Sequence, residues 1–388
     1  MNIAFFLEAY VPYTNGVITH VAMLKESFTR MGHNVLVVTA DPNIRHHKLS
    51  DGVLYCPAIR LKKIYGYGLA NFKSRTRMKF IEAFKPDIIH VHNEFGISLF
   101  GVLAAKKLNV PLVYTLHTMY DDYFHYVIHE KMEPLAKKVF YRYIRYIATH
   151  AAVLVSPSQK AIDFFKECKI AKHIDIIPNT IDTRTFDKGR FSNEELESGR
   201  DKLKIPKDAL LGVFVGRLGA EKSVDYLLNV FANAFKENRN MQLLVIGDGP
   251  EKNSLEALAE KLGITDTVHF LGKIDHSEIP YYFSLGDYYI SASLTEMMSI
   301  SMLEAMSIGL PAILRLDEKN HSQIIEGETG FTFSSPEEMQ NILKMLSAQT
   351  PEERENLHIK IREIMRHQGS DQTAEFLLKL YNSASNKA

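Results

Sequence analysis

The chain alternates between short apolar runs and longer stretches in which apolar residues recur every three or four positions. Asn2–Leu7 (NIAFFL), Asn34–Ala40 (NVLVVTA), Asp87–His92 (DIIHVH), Pro111–His117 (PLVYTLH) and Ala152–Ser156 (AVLVS) are rich in β-branched and aromatic residues and lack clean in–out alternation. Such runs predict strands covered on both faces. Helical periodicity fills gaps between them, as in Val17–Arg30 and Phe100–Leu108. Strands alternating with helices predict a parallel sheet with helices on both sides.

The rhythm breaks over residues 187–209, which are polar, charged and without a strand pattern. It resumes at Leu210–Gly216, Met241–Gly247, Thr267–Leu271, Tyr288–Ser293 and Pro311–Leu316, again with helical stretches between. The pattern predicts two doubly wound α/β domains, residues 1–186 and 187–370, with a linker near 185–195. The tail is helical, and the apolar stripe of Asp371–Ser383 needs a partner surface; either domain could supply it, and the helix of about residues 371–388 is expected on the first.

Composition narrows the class. The 388 residues are 46% apolar and 24% charged, the balance of an ordinary globular chain long enough for two or three domains. No apolar run approaches the ~20 residues of a membrane-spanning helix, and no basic segment followed by an apolar one opens the chain, so neither an anchor nor a signal peptide is expected. Two cysteines, Cys56 and Cys168, cannot build a disulfide framework or a cysteine zinc site. These features predict a cytoplasmic protein. The zero net charge conceals an asymmetry: residues 1–186 hold 24 basic and 15 acidic residues, the remainder 22 and 31. Either the first half faces an anionic partner or the halves attract each other.

Open α/β sheets bind ligands beyond the carboxyl ends of their strands. No G-x-G-x-x-G, G-x-x-x-x-G-K-[ST] or G-x-S-x-G motif follows any strand, which disfavours common dinucleotide, P-loop and hydrolase sites. The strand Leu210–Gly216 instead runs into Arg217, with Glu221 and Lys222 before the next helix. A planar guanidinium, a point charge and helix N–H groups suit a diphosphate, although the same residues could be a solvated loop pair. Gly247 and Gly249 after the next strand permit close approach to a ligand or simply a tight turn. Glu296 follows a further strand and Glu304 lies eight residues on, in a helix ending at Gly309. Carboxylates accept from vicinal hydroxyls, which suits a ribose or a hexose.

Taken in order, these segments resemble the retaining glycosyltransferases of the GT-B fold that carry a Glu-x7-Glu motif, glycosyltransferase family 4. The resemblance runs through Met1–Gly16 (MNIAFFLEAYVPYTNG), Pro86–His92 (PDIIHVH), Ile177–Asp182 (IPNTID), the Arg217/Lys222 pair, Gly247–Pro250 and Glu296/Glu304. The segment 114–123 (YTLHTMYDDY) is similar to one in bacterial 1,2-diacylglycerol glucosyltransferases and related glycolipid synthases. The resemblance implies two Rossmann-like domains facing each other across a cleft that closes about the linker. It implies transfer of glucose or galactose, with retention, from a UDP-sugar to the hydroxyl of a membrane lipid such as diacylglycerol. The donor would meet Gly16, Gly216, Arg217, Lys222, Gly247, Gly249, Glu296, Met298, Ser299, Ile300 and Glu304. Of these, Glu304 would hold the ribose, Glu296 would lie nearer the sugar, and Arg217, Lys222 and the helix start near Ser299 would stabilise the leaving diphosphate. His117 would sit by the sugar or acceptor. Glu8 and Asp122 are weak candidates for a general base, with the departing phosphate the usual proton acceptor.

The UDP-sugar would be a co-substrate, with no cofactor; two cations already neutralise the diphosphate, so no metal is expected to be essential, and Asp121 with Asp122 makes a poor cage. Thr180, and Met297–Ser299, stand where the family has glycine. The basic residues then acquire a place: Lys62, Lys63, Lys73, Arg75 and Arg77 in one stretch, Lys137, Lys138 and Arg142 in another, both interleaved with aromatics. Such patches suit an anionic bilayer, or equally RNA or a solvated face. The lipid-acceptor resemblance favours the bilayer, with Tyr120 and Asp122 near the acceptor, no nucleic acid partner, and a peripheral position on the inner face of the cell membrane. Rival readings are a soluble acceptor, a nucleotide-sugar epimerase and an inactive binding subunit.

Overall fold

The computed structural model describes residues 1–13, 15–60, 68–119, 133–318 and 323–386. They form two compact units, residues 1–180 with 370–388, and residues 181–369.

The first unit is built on a nine-stranded sheet. Its strands are β1 (Asn2–Phe6), β2 (Asn34–Asp41), β3 (Lys48–Ser50), β4 (Val53–Arg60), β5 (Gly68–Ala70), β6 (Ile88–Val91), β7 (Leu112–Thr115), β8 (Val153–Ser156) and β9 (Ile174–Ile176). Their order is β3-β4-β2-β1-β6-β7-β8-β9, with β5 also on β4. Only β3 and β5 run antiparallel. The order reverses between β1 and β6, which pair from Ile3↔Ile88 to Phe6↔Val91. Loops leaving these two strands diverge and open a crevice at their carboxyl ends.

The second sheet is parallel throughout: β12 (Val268–Gly272), β11 (Met241–Ile246), β10 (Leu210–Val215), β13 (Tyr288–Ser291), β14 (Ala312–Arg315) and β15 (Gly330–Phe333), in that order. Its runs lack alternation because both faces are covered. Leu210 and Phe214 of β10 and Leu243 and Val245 of β11 enter one core, while Leu211, Val213, Leu244 and Ile246 enter the other. Here the order reverses between β10 and β13, so the residues after those two strands are brought together by topology alone.

Two expectations need correction. The boundary lies at 180/181, not 186/187, because Ile181 and Phe186 are wholly buried in the second core and the Phe186 ring packs on Phe283. The polar run 187–209 is consequently no linker. It forms a 3-10 turn at Lys188–Arg190 and the helix Asn193–Lys202, started by a Ser192/Glu195 capping box. Leu196 and Leu203 pack it onto the core. The C-terminal helix Ser370–Ser385 joins the first unit, where Leu377 and Tyr381 share a core with Phe5, Leu24 and Phe28. Each such side chain contributes about 1.5–3 kcal/mol of burial. The Tyr381 hydroxyl also hydrogen-bonds Nδ1 of His90, at 2.6 Å.

Asp287, at the turn into β13, gathers a second set of ties. One oxygen accepts from Leu211 N (2.8 Å) and Arg200 (3.0 Å), the other from Arg354 (3.0 Å). It thereby fastens Asn193–Lys202 and the helix Pro351–Arg366 to the central strand.

Candidate active site

In the second unit the chain leaves β10 through Gly216 and Arg217, makes a 3-10 turn at Ala220–Lys222, and enters the helix Val224–Glu237 through Ser223 in the left-handed region. It leaves β13 through Ser293, Thr295 and Glu296 before the helix Ile300–Ile308. The hydroxyls of Ser293 and Thr295 donate to the Glu221 carbonyl at 3.1 and 3.2 Å, fastening one exit to the other. Across this junction Lys222 Nζ forms an ion pair with Glu296 Oε1. Arg217 lies 3.5 Å from Glu221. The two cations expected to meet a diphosphate are thus already beside carboxylates, so an incoming anion competes with partners rather than with bulk water alone.

Ser299 is the N-cap of Ile300–Ile308, its hydroxyl accepting from Met302 N at 3.4 Å. The Tyr289 hydroxyl bonds Ser301, which bonds Ser299, at 3.1 and 3.0 Å. This fixes a helix start whose N–H groups favour negative charge. Met298 and Ile300 beside it are half-buried. Further into the helix, Glu304 is buried and pairs through Oε1 with His276 Nε2 at 2.7 Å. Burial pushes the Glu304 carboxyl up, and Glu304 in turn pulls the His276 imidazole up.

Gly247 and Gly249 have a structural explanation. A Cβ on Gly247 would lie 1.8 Å from the Gly216 carbonyl oxygen, and one on Gly249 2.3 Å from that of Leu218. Leu218 N donates to Asp248 O and Glu251 N to Leu218 O, both at 3.0 Å. These glycines therefore let the loop after β11 pack on the loop after β10, with no ligand required.

In the first unit, Gly16 is the first residue of the helix Gly16–Arg30, capped by Asn15, and not part of the preceding loop. His117 lies two residues beyond the end of β7. It joins His92, from the end of β6, at 3.1 Å between ring nitrogens, and packs on His20 with centroids 5.1 Å apart. Neither His20 nor His92 stands out along the sequence, because lone histidines 25 and more residues apart carry no periodic signal. Burial drives His20, His90 and His92 far below the usual imidazole range and His117 down to about 3, so all four are neutral.

Donor atoms of His20, His92 and His117 lie within 4.8 Å of one another, the spacing of a metal site. Their hydrogen bonds do not suit a cation. The Thr180 N–H donates to His20 Nδ1 at 3.1 Å, which leaves the proton on Nε2 and no lone pair there. His92 and His117 bond each other. Thr180, in the place of the family's glycine, thus pins His20 in a network of neutral imidazoles.

That network predicts acid sensitivity. Below about pH 6.5 the unfolded chain protonates these four histidines and the folded chain does not, so stability falls as pH drops from about 6.5 toward 3. Glu8 acts oppositely. Burial lifts its carboxyl to about 7, so between about pH 4.5 and 7 it keeps a proton when folded that it loses when unfolded. Together these groups should give a net uptake approaching about three protons on unfolding near pH 5, which urea midpoints across pH 5–7 would measure. A flat profile would mean the histidines are solvated.

Glu8 is not placed as a base. Its two oxygens accept from Ala70 N at 2.9 Å and Ile97 N at 2.7 Å, and so tie β5 to the helix Gly96–Leu108. Of the basic residues, Lys73, Arg75, Lys138 and Arg142 are exposed. Lys137 pairs with Glu133 at 2.9 Å. Arg77 is a correction: it is buried, lies over the Phe100 ring and donates to Asn71 O. Lys62, Lys63, Tyr120 and Asp122 lie outside the described residues. No helix of the described residues is long and apolar enough to cross a membrane.

Known proteins share both sequence and architecture with this chain. Residues 14–185 match the family described as Glycosyltransferase Family 4, and residues 197–364 that described as Glycosyl transferases group 1. An alpha-monoglucosyldiacylglycerol synthase of Acholeplasma laidlawii is 32% identical over 87% of this chain and 86% of its own. The protein of that name from Streptococcus pneumoniae is 28% identical over 97% and 86%. Among solved structures, Anabaena HepE in complex with UDP superposes with a TM-score of 0.76 at 17% identity, covering 99% of this chain and all of that one. WaaG, a glycosyltransferase involved in lipopolysaccharide biosynthesis, gives 0.67 at 20% over 98% and 99%.

Proposed function

The chain belongs to glycosyltransferase family 4 and is a hexosyltransferase of the GT-B fold, and from that premise we propose that it moves glucose from UDP-glucose to the hydroxyl of diacylglycerol, with retention at the anomeric carbon. The donor half rests on one observation: the exits of β10 and β13 hold Arg217, Lys222, Glu296, the Ser299 helix start and Glu304 at the point where the strand order reverses. The acceptor half rests on the alpha-monoglucosyldiacylglycerol synthases at 32 and 28% identity.

In this reading Glu304 accepts from the ribose hydroxyls and Glu296 from the sugar. Departure of the diphosphate is the costly step, and prearranged charge is its main remedy. Arg217 and Lys222 trade their carboxylates for phosphate oxygens, and the N–H groups after Ser299 add a fixed dipole. The acceptor proton goes to the departing phosphate oxygen. The two cations leave no need for a divalent ion, so chelation should not abolish turnover. The test is an assay with several nucleotide hexoses, with and without diacylglycerol in anionic vesicles. Glucosyl-diacylglycerol from UDP-glucose is the expected product. Nucleotide release without glycolipid would discard the lipid acceptor.

A membrane-facing element fits the same reading. The helix Glu133–His150 buries Ile144, Ile147 and Ala148, and turns Leu135 and Val139, each 63% exposed, outward with Lys138, Arg142 and Tyr146. Positions 135, 139, 142 and 146 follow helical spacing and form one stripe. An apolar stripe with basic heads is the pattern of an interfacial helix, each cation adding about 1 kcal/mol on anionic lipid. Leu135→Glu with Val139→Glu should reduce co-sedimentation with phosphatidylglycerol vesicles at all salt concentrations. Lys138→Ser with Arg142→Ser should reduce it mainly at low salt, where screening is weak. Unchanged binding in both would place the membrane contact elsewhere.

A further inference from the structure

His276 has no part in the reading above, yet it holds the most buried acid of the site. It lies between β12, the edge strand, and the helix Ile279–Leu285, and its Nε2 reaches Glu304 Oε1 at 2.7 Å. Its ring is backed by Phe186, with centroids 5.4 Å apart. Phe186 is itself fully buried, so the imidazole has little room on that side. Glu304 has apolar neighbours in its own helix: Met302, Leu303, Ala305 and Met306 are all buried. A carboxyl in such surroundings drifts toward its neutral form, which presents a donor where two hydroxyls need an acceptor. The N–H of His276 opposes that drift, and it also fixes which oxygen is engaged.

We propose that His276 is a positioning residue for the nucleotide, engaging Oε1 of Glu304 so that the carboxylate keeps its charge and offers Oε2 to the vicinal hydroxyls of the ribose. The inference rests on the donor reading above and adds the residue that makes Glu304 fit for it.

The test compares UDP with 2′,3′-dideoxy-UDP by titration calorimetry. The wild type should prefer UDP by about tenfold or more, the worth of a hydrogen bond to a charged group. His276→Ala should weaken UDP about tenfold and leave 2′,3′-dideoxy-UDP nearly unchanged, because the lost interaction is the one to those two hydroxyls. His276→Gln, which keeps a donor, should recover most of the preference. In a Glu304→Ala background His276→Ala should add nothing. KM for UDP-glucose should rise in step while kcat stays within about twofold, the signature of lost ground-state binding. Equal weakening of both nucleotides, additivity with Glu304→Ala, or a fall in kcat alone would overturn the proposal. The wild type is also titrated with ADP and GDP. If one of these binds in place of UDP, the choice of UDP fails, and the same comparison with that nucleotide and its dideoxy form still decides the role of His276. Binding of none would overturn the donor reading and this inference with it.

Discussion

Lys222→Ala is expected to lower turnover by about 100- to 1,000-fold while the chain stays folded, the range seen when one prearranged group is removed from a developing charge. The ammonium sits where β10 and β13 part and is held by Glu296. In the donor complex proposed above it would neutralise the diphosphate at the moment its charge grows. Removing it also takes a cation from beside Glu296, next to an anionic ligand. The double variant Lys222→Ala/Glu296→Gln separates the two effects. Recovery of nucleotide affinity without recovery of rate would mean that Lys222 serves the transition state. Lys222→Arg should rescue only in part, because a planar fork does not reproduce a point charge. A rate near that of wild type in Lys222→Ala, with circular dichroism unchanged, would remove this residue from the mechanism.

Asp287→Ala should cost about 3–5 kcal/mol of stability, the range for breaking one side of a buried ion pair. The carboxylate serves Arg200, Arg354 and the Leu211 N–H at once. Its side chain is 10% exposed and those of the two arginines 16 and 25%, so water replaces the lost partner poorly. Asp287→Asn keeps an acceptor for Leu211 N and should cost less. Urea unfolding followed by far-UV dichroism measures both. A loss below about 1 kcal/mol would show that the guanidinium groups are solvated without it.

Ten of the strands are legible because each is a run of apolar, β-rich residues. The others carry weaker signals. β3, β5 and β9 are only three residues long. β4 holds Pro57 in mid-run, at the last pair of its ladder with β2, Asp41↔Pro57. The misplaced boundary has a similar cause. Residues 187–209 look like a tether by composition, but a helix needs only a narrow apolar stripe to pack, and Leu196 and Leu203 supply it. Arg217, Lys222 and Glu296 follow apolar strands and Glu304 lies in the next helix, so their nearness to the exits of β10 and β13 is readable from their order along the chain. His276 was not legible, because its meaning lies in a contact 28 residues away in sequence. The same holds for Thr180 and His20, which meet across 160 residues. Gly247 and Gly249 were legible as glycines, but their reason, the backbone of a neighbouring loop, appears only in three dimensions.

The return of Ser370–Ser385 to the first unit has a consequence for how the protein comes off the ribosome. Domains usually fold as units in the order in which they are made. Here the first unit is complete only when the last helix emerges, because Leu377 and Tyr381 fill its core beside Phe28 and Tyr381 satisfies His90. The second unit, residues 181–369, is synthesised whole before that. A nascent chain arrested before residue 370 would therefore carry a finished second unit behind a first unit with an open apolar face. That face is a surface for chaperones to hold during synthesis, and removal of the last helix should expose it permanently.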